Sequence, residues 1–158
     1  MSNVYYTTDG VIGVNPFETS TTARFRLGQL AHGSDGSHWV YVAAEGTITA
    51  YDAVAVDEAF DAVSLTKTLA DAGHLIGFAQ IAFADEDFGW VLKSGQGAQY
   101  KVRVAAGYVA DAALYTTGTA GVLDDASTSQ TLVSGVVAYQ GGTAAAARPI
   151  IATYPRTK

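Results

Sequence analysis

The chain has 158 residues and a mass of 16.4 kDa, which suits one domain that buries roughly 68–70% of its unfolded surface. Hydrophobic residues make up 49% and charged residues 15%, with a mean hydropathy of +0.16, which excludes the weakly hydrophobic, highly charged composition of a disordered chain. Nine Lys and Arg against fifteen Asp and Glu give a net charge of −6, which excludes nucleic acid as the main partner, because phosphate backbones are bound through basic groups that release counterions.

The first residues, Met1-Ser2-Asn3-Val4-Tyr5-Tyr6, lack the basic and apolar regions of a secretory signal, and no apolar run is long enough to span a bilayer. Both points predict a chain that folds in a cytoplasm and needs no membrane. Cysteine is absent, so disulfides, thiolate metal sites and a thiol nucleophile are excluded. The dominance of Val, Thr, Tyr, Ala and Gly, with a single Met, favours short strands joined by tight turns, and the expected class is all-β.

Residues 1–24 read as an extended N-terminal arm, with residues 25–158 as a single β-rich domain. Apolar side chains in the arm are thinly spread, and the residue before Pro16 is held in an extended conformation. The arm nevertheless carries Tyr5, Tyr6, Ile12, Val14 and Phe17, more apolar surface than a solvated tail normally holds. From Phe25 the period becomes two. Phe25, Leu27 and Gln29 alternate with Arg24, Arg26, Gly28 and Leu30, the turn Gly33–Ser37 follows, and His38–Ala43 completes a predicted hairpin. Short strands are predicted at Thr47–Ala50, Ala53–Val56 and Ala62–Thr66, spaced as in a barrel or sandwich.

Thr66–Gly73 is the best helical segment, at most two turns before Gly73 ends it. Leu75–Phe83 and Phe88–Lys93 read as adjacent central strands across the acidic turn Asp85-Glu86-Asp87. Gln99–Val104 alternates with Tyr100, Val102 and Val104 on one face and Lys101 and Arg103 on the other. Strands continue at Leu114–Thr117, Gly121–Asp125, Thr131–Ala138 and Pro149–Tyr154, with Gly141–Ala147 as a loose loop before the last.

Candidate chemistry is sparse. His32 and His38 flank a turn, with Asp35 between them, but no H-x-H or H-x-x-x-H spacing places two imidazoles on one face, and the pair reads as polar residues at a hairpin end. Ser64-Leu65-Thr66-Lys67 matches the S-x-x-K pattern of acyl enzymes without its companion motifs. Asp87-Phe88-Gly89 matches the kinase metal-binding tripeptide without any other kinase motif. Neither Asp85-Glu86-Asp87 nor Asp124-Asp125 has the spacing of a calcium loop, and Gly95-Gln96-Gly97 lacks the third glycine of a dinucleotide site. No metal ligand set, catalytic residue or cofactor site is assigned. The strand aromatics Trp39, Tyr41, Trp90, Tyr100, Tyr108, Tyr115, Tyr139 and Tyr154 suit a core, with a sugar-stacking platform as the alternative.

Three segments together resemble a known family. They are Gly77-Phe78-Ala79-Gln80-Ile81-Ala82-Phe83-Ala84-Asp85 followed by Phe88-Gly89-Trp90-Val91 and Ser94-Gly95; Ala112–Asp125 (AALYTTGTAGVLDD); and Arg26-Leu27-Gly28 leading into Gly36–Val42. Over residues 24 to 154 the chain resembles the small head decoration proteins, also called cement or capsid-stabilising proteins, of tailed bacteriophages. The resemblance implies a small barrel-like or tulip-like β domain without catalytic activity or cofactor. It also implies a homotrimer on the outer surface of the expanded head, made in the host cytoplasm and bound to the major capsid protein through its N-terminal arm. Tyr5, Tyr6, Ile12, Val14 and Phe17 are then the candidate capsid-binding residues, the arm adding a strand to a capsid sheet edge.

Three other readings stand beside it. One is a glycan-binding or host-surface module of the virion using the strand aromatics. Another is a small hydrolase pairing His38 or His74 with Asp35 or Asp71. The third is another virion part, in the tail tube, head completion or fibre.

Overall fold

A computed structural model describes residues 4–8 and 11–157, without the side chains of Val11 and Ile12. The architecture is all-β with one short helix. In chain order the elements are β1 (Tyr6–Thr8), β2 (Val11–Ile12), β3 (Leu30–Gly33), β4 (His38–Ala44), β5 (Ala53–Val56), β6 (Asp61–Ser64), α1 (Lys67–Ala72), β7 (Leu75–Ala79), β8 (Phe88–Val104), β9 (Ala113–Thr116), β10 (Leu123–Asp124), β11 (Leu132–Ala138) and β12 (Ala146–Arg156). The twelve strands form one sheet in the order β10-β9-β11-β12-β8-β7-β5-β6-β4-β3-β1-β2.

Two further pairings close that sheet on itself. β4 pairs antiparallel with the first part of β8, from Trp39 opposite Leu92 to Ala43 opposite Phe88, so β4, β6, β5, β7 and β8 form a hydrogen-bonded circuit. β10 pairs parallel with the end of β8 at Leu123 and Val104, so β8, β12, β11, β9 and β10 form a second circuit. The 17-residue β8 is the wall common to both.

Strand alternation divides the apolar side chains between two cores. Val40, Val42, Ile48, Val54, Val56, Phe83 and Val91 fill the smaller one. Their strand neighbours Trp39, Tyr41, Ala53, Ala55, Trp90 and Leu92 belong to the larger, which continues through Tyr100, Val102, Leu114, Leu123, Val133 and Ile150. The side-chain hydroxyl of Thr66 caps α1 by accepting from Leu69 N, and Gly73 ends it at φ 84°, so this helix lies where its punctuation residues predict.

Several predicted elements lie elsewhere. Residues 25–29 form a turn: Gly28 stands at φ 80°, and a Cβ there would meet the Phe60 ring at 2.4 Å. The strand begins at Leu30, after the alternating stretch. Thr47–Ala50 contributes a single bridge, Ile48 to Phe83. The two strands read at Phe88–Lys93 and Gln99–Val104 are one, because β12 pairs across the intervening segment, with Thr153 opposite Ser94 and Ile150 opposite Gly97. Ala146 and Ala147, read as loop, open β12 opposite Val104 and Arg103.

The N-terminal segment is tied to the domain. Tyr6, Thr7 and Thr8 pair with Gly33, His32 and Ala31, and Ser20 bridges Phe88. Aromatic contacts hold the rest: Tyr6 and Phe17 meet Trp39 edge-on at 5.9 and 5.5 Å between ring centres, and Phe25 lies 5.3 and 5.2 Å from Tyr41 and Trp90.

Candidate interaction surface

The five residues expected to bind a capsid divide into three groups. Tyr6 and Val14 are 8% and 6% exposed and pack inside their own domain. Tyr5 and Phe17 are 63% and 39% exposed and present apolar surface outward. The backbone of Ile12 pairs with Thr7, and its side chain lies outside the described residues. Leu30, exposed on neighbouring β3, adds to the apolar surface at this end of the sheet, where β2 is the terminal strand.

Behind Tyr6 is a polar network that anchors it. Its hydroxyl lies 3.2 Å from that of Tyr100, and Tyr100 donates to Asp35 at 2.6 Å. Asp35 also accepts from Ser37 N and Gln99 Nε2, and the indole N–H of Trp39 donates to Ser37 Oγ at 3.0 Å. Burial raises the Tyr100 phenol far above its ordinary value, and the adjoining Asp35 carboxylate adds to the rise, so Tyr100 remains a neutral donor. For Asp35, partial burial acts upward, but the hydrogen bonds from Tyr100, Ser37 and Gln99 outweigh it and hold the carboxyl below its usual range. A carboxyl with a lowered folded-state pKa contributes stability above the unfolded value of about 3.9, and loses it as pH falls through the folded value. The stability difference between the wild type and Asp35→Asn is therefore expected to be largest near neutral pH and to shrink below about pH 4. Urea unfolding of both proteins across that range checks this, and a constant difference would contradict it.

A second carboxylate joins distant elements. Asp52, 2% exposed, accepts from Arg103 through Oδ1, and from Ser64 Oγ at 2.7 Å and Thr49 N at 3.2 Å through Oδ2. Gly121 lies against it at φ 75°, where a Cβ would come within 2.2 Å of the carboxyl carbon.

The sequence motifs with enzymatic overtones have structural roles here. Ser64 donates to Asp52, Thr66 caps α1 and Lys67 pairs with Asp71. Asp85 accepts from Gly46 N, tying two distant loops together, and Asp87 accepts from Ala84 N, closing a turn. His74 directs Nδ1 to the carbonyl of Leu69. Trp39, Trp90, Tyr41, Tyr100 and Tyr108 are buried, so of the aromatics weighed as a sugar platform Tyr154 alone is largely exposed. No group of three or more His, Asp or Glu among the described residues is placed to hold a metal ion.

The histidines require one correction. The β3–β4 register sets His32 directly opposite His38, with ring centres 4.6 Å apart, although their sequence spacing suggested separation. His38 Nδ1 also meets the hydroxyl of Tyr154. Its pKa is lowered, by burial first and then by the nearby His32. The signal was available in the sequence, since in a hairpin the residues immediately flanking a turn face each other.

Comparisons of the chain with family models, curated proteins and solved structures found no match.

Proposed function

We propose that this chain is a non-enzymatic capsid decoration protein of a tailed bacteriophage, binding the outer face of the expanded head and bridging neighbouring major capsid protein subunits. The observation that carries the reading is the end of the sheet, where β2 is the terminal strand and Tyr5 before β1, Phe17 after β2 and Leu30 on β3 are exposed. A terminal strand flanked by apolar side chains suits strand addition, in which main-chain hydrogen bonds supply affinity and side-chain pockets supply specificity. The resemblance of residues 24–154 to decoration proteins supports the same reading. So does the structural employment of Ser64, Lys67, Asp35 and Asp52, since clamping a shell calls for area and shape and not for a reactive group.

In this reading one copy binds modestly, and many copies on a symmetric shell, associated as trimers, reinforce one another. The bound protein raises the barrier to separation of capsid subunits against internal DNA pressure, so heads lacking it release DNA at lower temperature.

Co-sedimentation with expanded heads stripped of the protein tests the proposal. Deleting residues 1–24 would uncover Trp39 and Tyr100, so the informative variant is Tyr5→Ala/Leu30→Ala, which alters exposed residues only. Saturable binding by the wild type, weakened at least about tenfold in the variant, is expected from the loss of two apolar anchors. Absence of binding by the wild type, or equal DNA retention on heating with and without it, would overturn the reading. Binding to a glycan array through Tyr154 would support a host-surface module instead.

A further inference from the structure

The face where β3, β4 and β12 meet carries a second arrangement that capsid binding does not use. His32 and His38 are cross-strand partners whose rings stand 4.6 Å apart and nearly perpendicular, at 88°. Tyr154, from the far end of the chain, brings its hydroxyl to Nδ1 of His38, and its ring lies 5.4 Å from the imidazole. Side chains from three strands thus converge on one solvent-accessible point.

We propose that His32 and His38 are the two nitrogen ligands of a zinc-class divalent metal site, with Tyr154 as the residue that positions His38. Imidazole suits borderline ions such as zinc and nickel, and with metal–nitrogen distances of about 2.0–2.1 Å two rings sharing an ion have centres about 4.5 Å apart at a right-angle geometry and about 5.2 Å apart at the tetrahedral angle. The observed 4.6 Å matches the first, and the second requires His32 to move outward by about half an ångström. With Nδ1 of His38 held by Tyr154, Nε2 is left to bind the ion, the usual division in which one ring nitrogen is fixed by a neighbour and the other ligates. His32 is exposed, so turning its ring from the edge-on contact toward a shared ion displaces no packed neighbour. Solvent completes the coordination, since among the described residues no third His, Asp or Glu is placed to join the pair. Lys93, whose Nζ lies 6.0 Å from the centre of the Tyr154 ring, is the charge that opposes binding, and with only two protein ligands the affinity is modest.

Titration of the chelator-treated full chain with zinc chloride at neutral pH, followed by calorimetry, tests the site. One ion per chain is expected, with affinity reduced at least about tenfold in His32→Gln or His38→Gln, about tenfold in Tyr154→Phe, and unchanged in His74→Gln. Zinc should also raise the melting temperature of the wild type but not that of the His32→Gln variant, because a ligand that binds only the folded state stabilises it. His32→Gln keeps the test decisive if His38→Gln destabilises the protein, because His32 is exposed. No saturable binding below about 1 mM zinc, or wild-type affinity in His32→Gln, would overturn the proposal.

Discussion

Replacing Arg103 with methionine is expected to lower the stability of the protein by about 3 kcal/mol, because it removes the countercharge of a carboxylate that is almost wholly buried. The side chain of Asp52 is 3% exposed and that of Arg103 33%. Breaking a fully buried pair costs about 3–5 kcal/mol, and water at the exposed part of the guanidinium places this one at the low end. Ser64 and Thr49 still donate to Oδ2 in the variant, but Oδ1 loses its partner. Asp52→Asn in the Arg103→Met background removes the unpaired charge, keeps an acceptor for Ser64 and Thr49, and is expected to recover more than half of the loss. Urea midpoints for the two single variants and the double one, at constant m, give the coupling directly. A loss below about 1 kcal/mol in Arg103→Met would mean that the pair behaves as a solvent-screened surface bridge.

Trp39→Ala should be at least as damaging, at about 3–5 kcal/mol, the range for truncating a large aromatic core residue. Trp39 has no solvent exposure and touches Tyr6, Phe17 and Tyr100 at ring separations of 5.9, 5.5 and 5.6 Å. Its loss strikes the attachment of the N-terminal segment first, because two of those three rings belong to that segment. Limited proteolysis is expected to cut the variant before Leu30 at temperatures at which the rest of the domain resists. Phe17→Ala, which removes a ring already 39% exposed, should cost much less. If Trp39→Ala opens only in a single global transition, the segment is held by its backbone pairing to β3 and not by the rings.

The contrast between the expected arm and the docked segment shows what sequence patterning conveys. Strands read from short apolar runs, such as Ala53–Val56 and Thr131–Ala138, lie at those runs, the second beginning at Leu132, and α1 lies between Thr66 and Gly73. Tyr6 and Val14 were legible as apolar but not as core, because what buries them is Trp39, Tyr100 and the rest of the larger cluster, contributed by strands far along the chain. Long-range register is equally silent in a local pattern: nothing in Phe88–Val104 says that β12 will carry pairing past Gly95 and Gly97. The Asp52–Arg103 pair, 51 residues apart, belongs to the same class. His32 and His38 differ, since counting outward from the Gly33–Ser37 turn would have set them face to face.

Because one strand serves as a wall for two circuits, the molecule has no seam along which to divide. Detaching β9–β12 would part Leu114, Leu123, Val133 and Ile150 from the rest of the larger core and leave the far end of β8 unpaired, while opening the β4–β7 side would strip β8 of the partners that hold its first half. Neither part keeps its apolar surface covered alone, so heat or denaturant should meet a single cooperative unit, and complementary fragments cut between Val104 and Ala113 would have to assemble before either becomes ordered.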